Sequence, residues 1–101
     1  MPKILVIDDE AAIRGALKEI LEYESFEVAE AEDGIVGIKL AEKENFDLIF
    51  CDIKMPKMDG IEVLEKLKEK GIETPVVIIT GHGTVETAVE ALKKGAYDFI
   101  Q

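Results

Sequence analysis

The sequence predicts an α/β fold in which a five-stranded parallel sheet carries helices on both faces. Short apolar runs alternate with amphipathic segments along the whole chain. Several of these runs are apolar without interruption, which is typical of strands buried on both faces. The segments between them repeat apolar residues at helical spacing. Strands that alternate with helices favour parallel pairing and right-handed crossovers.

Five strands are predicted, at residues 4–7, 26–31, 47–51, 75–79 and 97–100. The first helix should bury Ile13, Leu17, Ile20 and Leu21. Each later helix has a cap residue, namely Asp33, Asp59 and Thr84, and Asp59 forms a capping-box pattern with Glu62. Gly71 and Gly95 are typical helix ends. The apolar side of the second helix is expected to consist of Ile35, Ile38, Leu40 and Ala41.

The apolar character of each strand predicts its place in the sheet. The first, third and fourth strands are almost wholly apolar and should be central, whereas acids interrupt the second, which should lie at an edge. The flavodoxin-like order 2-1-3-4-5 satisfies these conditions. Ligands in such sheets lie beyond the carboxyl ends of the strands, where the first and third strands meet.

Length and charge limit the function. The 101 residues fit one domain, 1–101, and the net charge of −10 argues against direct nucleic-acid binding. An acidic surface suits a cation site and basic protein partners. The single cysteine, Cys51, excludes an intrachain disulfide and is expected to be a buried apolar residue. With no apolar stretch of roughly 18 residues, a membrane span is not expected, and we predict a cytoplasmic location.

Acidic residues follow the two strands that flank the predicted ligand site. Asp8, Asp9 and Glu10 follow the first strand, and Asp52 follows the third. Carboxylates held close together repel one another, and a hard cation such as Mg²⁺ or Mn²⁺ removes that conflict. The alternative is that these acids cap helices, since Asp9 stands before one. A cation beside a carboxylate suggests phosphoryl transfer to Asp52.

Four motifs together resemble a known family. They are Ile-Asp-Asp-Glu at 7–10, Cys-Asp-Ile-Lys-Met-Pro-Lys-Met-Asp-Gly at 51–60, Thr-Gly-His-Gly at 80–83 and Lys-Gly-Ala-Tyr-Asp-Phe at 94–99. In this order they resemble the receiver domain of bacterial two-component response regulators, whose fold is CheY-like. The segment 80–99 is most similar to receivers of NtrC-like enhancer-binding transcription activators.

The resemblance implies a phospho-switch rather than an enzyme, one that catalyses only its own phosphotransfer and slow autodephosphorylation. Asp52 would accept a phosphoryl group from a sensor histidine kinase. Asp9 and Asp52 would bind Mg²⁺ directly, Asp8 would act through water, and the backbone carbonyl of Lys54 would be a further ligand.

The resemblance also implies how the signal is passed on. Thr80 would bond the phosphoryl group, Phe99 would change rotamer with it, and Lys54 and His82 would tune dephosphorylation. The output would be an effector domain beyond the C-terminus, acting on transcription, or a homodimer. A face of the fourth helix with Ala88, Val89 and Leu92 is a candidate contact surface, and the alternative is that these residues belong to the core.

The chain departs from the family pattern at its end. The lysine that receivers carry three positions after the switch aromatic would fall just past Gln101, and the fifth helix is absent, so we expect a C-terminally incomplete receiver. A fragment, a disordered tail or cover from another chain would each account for this. Apolar surface on strands three to five should then face water.

Two other functions are compatible with parts of the pattern. A haloacid-dehalogenase-like phosphohydrolase would also use an aspartate after a strand, but its general acid is replaced here by Lys54. A receiver fold that serves only as an interaction module would not need phosphorylation. The missing lysine favours that module, whereas the joint presence of Asp8, Asp9, Asp52 and Thr80 favours the switch.

Overall fold

A parallel sheet of five strands forms the centre of the computed structural model, which describes residues 1–81 and 84–101. The strands are β1 (Lys3–Ile7), β2 (Glu27–Ala31), β3 (Leu48–Asp52), β4 (Val76–Ile79) and β5 (Asp98–Ile100). The helices of the described part are α1 (Ala11–Tyr23), α2 (Gly34–Lys43), α3 (Gly60–Glu69) and α4 (Val85–Lys93). The strand order is β2-β1-β3-β4-β5, which confirms the predicted topology.

The main core lies between the sheet and helices α2, α3 and α4. Strand register aligns Ile7, Cys51, Ile78 and Phe99 in one row across the sheet. Ile7, Cys51 and Ile78 are fully buried there, and Phe99 packs against the same cluster. Burying each large aliphatic side chain contributes about 1.5–3 kcal/mol, so this face supplies much of the stability.

The opposite face of the sheet, where α1 packs, is less completely covered. None of the α1 residues is buried, and Ile20 is 61% exposed. On the strands, Phe50 and Ile79 are half-buried and Ile100 is 42% exposed. The expectation that strands three to five present apolar surface to water is confirmed.

Side chains cap three of the helices as predicted. Asp33 accepts from the Val36 amide, Asp59 and Glu62 form a complete capping box, and Thr84 pairs with Thr87 at the start of α4. The alternative that Asp9 caps α1 is excluded, because Glu10 is the residue at that position and its side chain makes no capping bond. The acids after β1 are therefore not explained by helix capping.

Three predicted burial patterns are corrected. Ile20 of α1 was expected to be buried and is exposed. Ile35 is 41% exposed, because α2 turns the small residues Gly34 and Gly37 toward the core together with Ile38. Ala88 is fully buried and cannot belong to a contact surface, whereas Val89 and Leu92 are exposed as expected. Among the helices described, none combines the length and the apolar character needed to cross a lipid bilayer.

Candidate functional site

Asp8 is the first residue after β1 and is completely buried. Its amide donates to the carbonyl of Ala31 at 3.1 Å, and its own carbonyl accepts from Arg14 Nη1 at 2.8 Å. The carboxylate oxygen Oδ1 accepts from the Glu10 amide at 2.9 Å. These bonds hold the carboxylate at the carboxyl edge of the sheet.

Asp52 is the last residue of β3 and is 4% exposed. Because Ile7 is in register with Cys51, the strand ends that carry Asp8 and Asp52 lie side by side. Asp8, Glu10 and Asp52 each offer one carboxylate oxygen, and these atoms lie within 4.8 Å of one another. The predicted convergence of aspartates at the junction of the first and third strands is therefore present for Asp8 and Asp52.

The electrostatics of this cluster favour a cation. Burial raises the pKa of the Asp8 carboxyl above its ordinary value, and the charges of Asp9 and Glu10 raise it further. Oδ2 of Asp8 is buried and has no hydrogen-bond partner among the described residues. A buried acceptor without a partner costs about 1–3 kcal/mol. The all-oxygen donor set and this unsatisfied atom fit a hard divalent cation such as Mg²⁺.

Asp9 occupies a different position from its two neighbours. It is exposed and lines a shallow crevice together with Glu32, Asp33, Pro56 and Lys57. Within the part of the chain that the structure describes, the close carboxylate group contains Glu10 and not Asp9. We did not single out Glu10 as a ligand from the sequence, and the only signal for it there is its place as the third consecutive acid.

The loop after β3 holds the Asp52 backbone tightly. The Ile53 amide donates to the carbonyl of Ile79 at 3.0 Å, and the Gly60 amide donates to that of Ile53 at 2.9 Å. A Cβ at Gly60 would lie 2.7 Å from the Asp52 carbonyl oxygen, so only glycine fits there. Lys54 is exposed in this loop, two residues beyond Asp52.

Thr80 and Phe99 link this edge to the last strand. Thr80 is 4% exposed, and both its amide and its hydroxyl donate to the carbonyl of Ile100, at 2.8 and 3.0 Å. The threonine therefore ends β4 with a side-chain bond to nearby backbone, as threonine side chains often do. Phe99 is half-buried against the main core. His82 lies outside the described residues.

Cys51 adjoins Asp52 and behaves as an apolar core residue, as predicted. It is fully buried, and its thiol donates to the backbone carbonyl of Asp52 at 3.4 Å. Burial raises the pKa of this thiol far above its ordinary value. Cys51 is therefore not a candidate nucleophile.

Comparison with known proteins identifies the family. The family model described as the response regulator receiver domain matches residues 4–101. This chain belongs to the response regulator receiver domain family. The receiver domain is 41% identical to the transcriptional regulatory protein ZraR of Klebsiella oxytoca over 97 residues. It is 43% identical to the nitrogen assimilation regulatory protein NtrX of Azorhizobium caulinodans over 100 residues. The predicted similarity to NtrC-like regulators is confirmed.

Solved structures agree with this assignment. The crystal structure of the receiver domain of NtrX from Brucella abortus superimposes with a TM-score of 0.89 at 41% identity, covering 96% of this chain and 82% of that one. The match to ZraR covers 96% of the receiver domain but 22% of ZraR, and the match to the A. caulinodans NtrX covers 97% and 22%. The receiver domain thus spans about a fifth of the length of these two curated relatives.

Proposed function

We propose that this receiver domain is a phospho-switch in which Asp52 accepts a phosphoryl group in a Mg²⁺-dependent reaction. The observation that carries the proposal is the meeting of Asp8, Glu10 and Asp52 at the junction of β1 and β3, with Oδ2 of Asp8 buried and unsatisfied. Carboxylates placed this close together repel one another, and a bound cation removes that repulsion.

Asp8, Asp9, Asp52 and the backbone carbonyl of Lys54 are the residues we propose to hold the Mg²⁺, with Mn²⁺ as an alternative ion. A bound divalent cation offsets the negative charge of the phosphoryl oxygens and of the acids around them. Two observations support this proposal. Asp52 is buried at the end of β3, and Asp9 lines the crevice at the same end of the sheet.

In the proposed transfer, an Asp52 carboxylate oxygen attacks the phosphorus of a phosphohistidine on a sensor kinase. The new O–P bond forms as the P–N bond breaks, and the imidazole nitrogen keeps the electron pair and then takes up a proton. The role of this chain is to hold the nucleophile in place. The backbone hydrogen bonds made by Ile53 and by Gly60 fix the backbone next to Asp52.

The phosphorylated carboxylate would pull the Thr80 hydroxyl away from the Ile100 carbonyl. The Thr80 amide already donates to the same carbonyl, so strand pairing survives when the hydroxyl leaves. We propose that Phe99 and α4 repack in response, and that Lys54 and His82 tune loss of the phosphoryl group. The exposed side chains of Val89 and Leu92 on α4 would form the contact face for an effector domain or for a second copy of the chain.

Relatives named as transcriptional and nitrogen assimilation regulators favour transcription as the output. A histidine-kinase donor and a transcriptional effector would both meet the receiver domain in the cytoplasm.

The test is incubation of the chain with acetyl phosphate and Mg²⁺, followed by intact mass measurement. We expect an adduct of one phosphoryl group that requires Mg²⁺ and is lost in Asp52→Asn. The control Asp47→Asn changes an exposed aspartate just before β3, at the opposite end of that strand from Asp52, and should keep the adduct. No adduct in the parent chain would refute the proposal, and continuous phosphate-ester hydrolysis would favour a phosphohydrolase.

A further inference from the structure

Glu10 lies in the acidic cluster, and its side chain does not cap helix α1 although it is the N-cap residue. Its backbone angles are extended, with φ −91° and ψ 109°. Its backbone serves the helix instead, since its carbonyl accepts from the Arg14 amide at 3.0 Å. The side chain is half-buried and turned toward Asp8 and Asp52.

A second observation indicates that this space is built for a ligand. Oδ2 of Asp8 is completely buried and lacks a hydrogen-bond partner in the part of the chain that the structure describes, while Oδ1 is satisfied by the Glu10 amide. The same residue thus fixes one oxygen of Asp8 and places a carboxylate within 4.8 Å of the cluster. A buried acceptor with no partner is a defined place for a cation or for a water bound to one.

We propose that Glu10 is an additional acidic ligand of the cation site, binding the ion directly or through one water. The inference rests on the proposed function and adds to it a residue outside the set Asp8, Asp9, Asp52 and Lys54. Sites with more ligand charge bind divalent cations more tightly.

The experiment is calorimetric titration of the metal-free chain with Mg²⁺ at constant ionic strength, for the parent, Glu10→Gln and Glu32→Gln. Glu32 follows β2 at the same edge of the sheet, is exposed and lies outside the close carboxylate group. Both variants remove one negative charge, so they share any effect of net charge. We expect Glu10→Gln to weaken Mg²⁺ binding by about tenfold, as is typical when a supporting group of a metal site is lost.

Equal affinities for Glu10→Gln and Glu32→Gln would overturn the inference. Failure of the parent chain to bind Mg²⁺ would instead refute the cation site of the proposed function, so the two failures are distinguishable. Thermal unfolding of each metal-free variant shows whether it is folded.

Discussion

At the scale of single residues, Asp8 carries the largest conflict between stability and function. Its carboxylate is fully buried, one of its oxygens has no hydrogen-bond partner in the described structure, and burial raises its pKa. Such a group destabilises the metal-free fold and becomes favourable once a cation is bound. A buried carboxylate of this kind indicates a cation site.

This conflict predicts the behaviour of Asp8→Asn. The variant keeps the side-chain shape and an oxygen for the Glu10 amide but removes the buried charge. We expect the free energy of unfolding of the metal-free chain to rise by about 1 kcal/mol and its response to Mg²⁺ to disappear. Urea unfolding with and without Mg²⁺ measures both. A variant less stable than the parent without metal would show that the carboxylate is stabilised by its surroundings.

The residues of the site were largely predictable, but their orientations were not. Acids that follow adjacent parallel strands must share one edge, so the meeting of Asp8 and Asp52 followed from the strand order. Which of three consecutive acids turns inward depends on backbone angles beyond the strand end. Glu10, whose backbone is extended, lies in the cluster whereas Asp9 is exposed, and no periodicity encodes that choice.

At the scale of elements, three helices end in the same way but with different residues. After α1, α3 and α4 the chain passes through a left-handed residue, at Ser25 (φ 72°), Gly71 (φ 71°) and Gly95 (φ 109°). The amide of this residue and the amide of the next one both bond back to the last turn, as Ser25 does to Glu22 at 2.9 Å and Phe26 to Leu21 at 3.1 Å. Glycine is the usual residue at this position, and serine is strained there.

We therefore expect Ser25→Gly to stabilise the chain by about 0.5–1 kcal/mol, because glycine adopts this conformation without steric cost. The matched reverse change is Gly71→Ala, where a Cβ would meet nothing within 4 Å, so any loss reflects the backbone alone. It should destabilise by a similar amount. Denaturant midpoints of both variants test this, and a Ser25→Gly protein no more stable than the parent would contradict it.

The elements themselves were predictable where one physical signal dominated. Uninterrupted apolar runs identified β1, β3 and β4 as central, and the acids of β2 identified it as an edge. The packing of α4 was not predictable in detail. Hydropathy placed Ala88 with Val89 and Leu92, whereas the fold buries the small Ala88 and Ala91 and leaves the larger pair exposed.

At the scale of the whole molecule, net charge is the dominant feature. The net charge of −10 makes the folded chain repel itself. Stability should therefore depend on the ions in the surrounding solution. Salt screens exposed charges over about 10 Å at 0.1 M, and bound ligand stabilises by mass action.

We expect NaCl to raise the thermal midpoint steadily, because it screens repulsion among the acids. At matched ionic strength MgCl₂ should stabilise further, by about 2.7 kcal/mol at a concentration of 100 times the dissociation constant. Asp8→Asn should lose that excess and keep the NaCl effect, as circular dichroism melts would show. Equal stabilisation by the two salts in the parent would mean that Mg²⁺ acts only as a screening ion.

The most direct test of the account is the chemical location of the phosphoryl group. After reaction with acetyl phosphate and Mg²⁺, borohydride reduces an aspartyl-phosphate to homoserine, which peptide mass spectrometry locates in the sequence. We predict homoserine at position 52 alone, since Asp52 is the carboxylate that β3 brings to the cluster. Homoserine at position 8 or 9, a reduced Glu10, or no reduced residue at all would contradict the account.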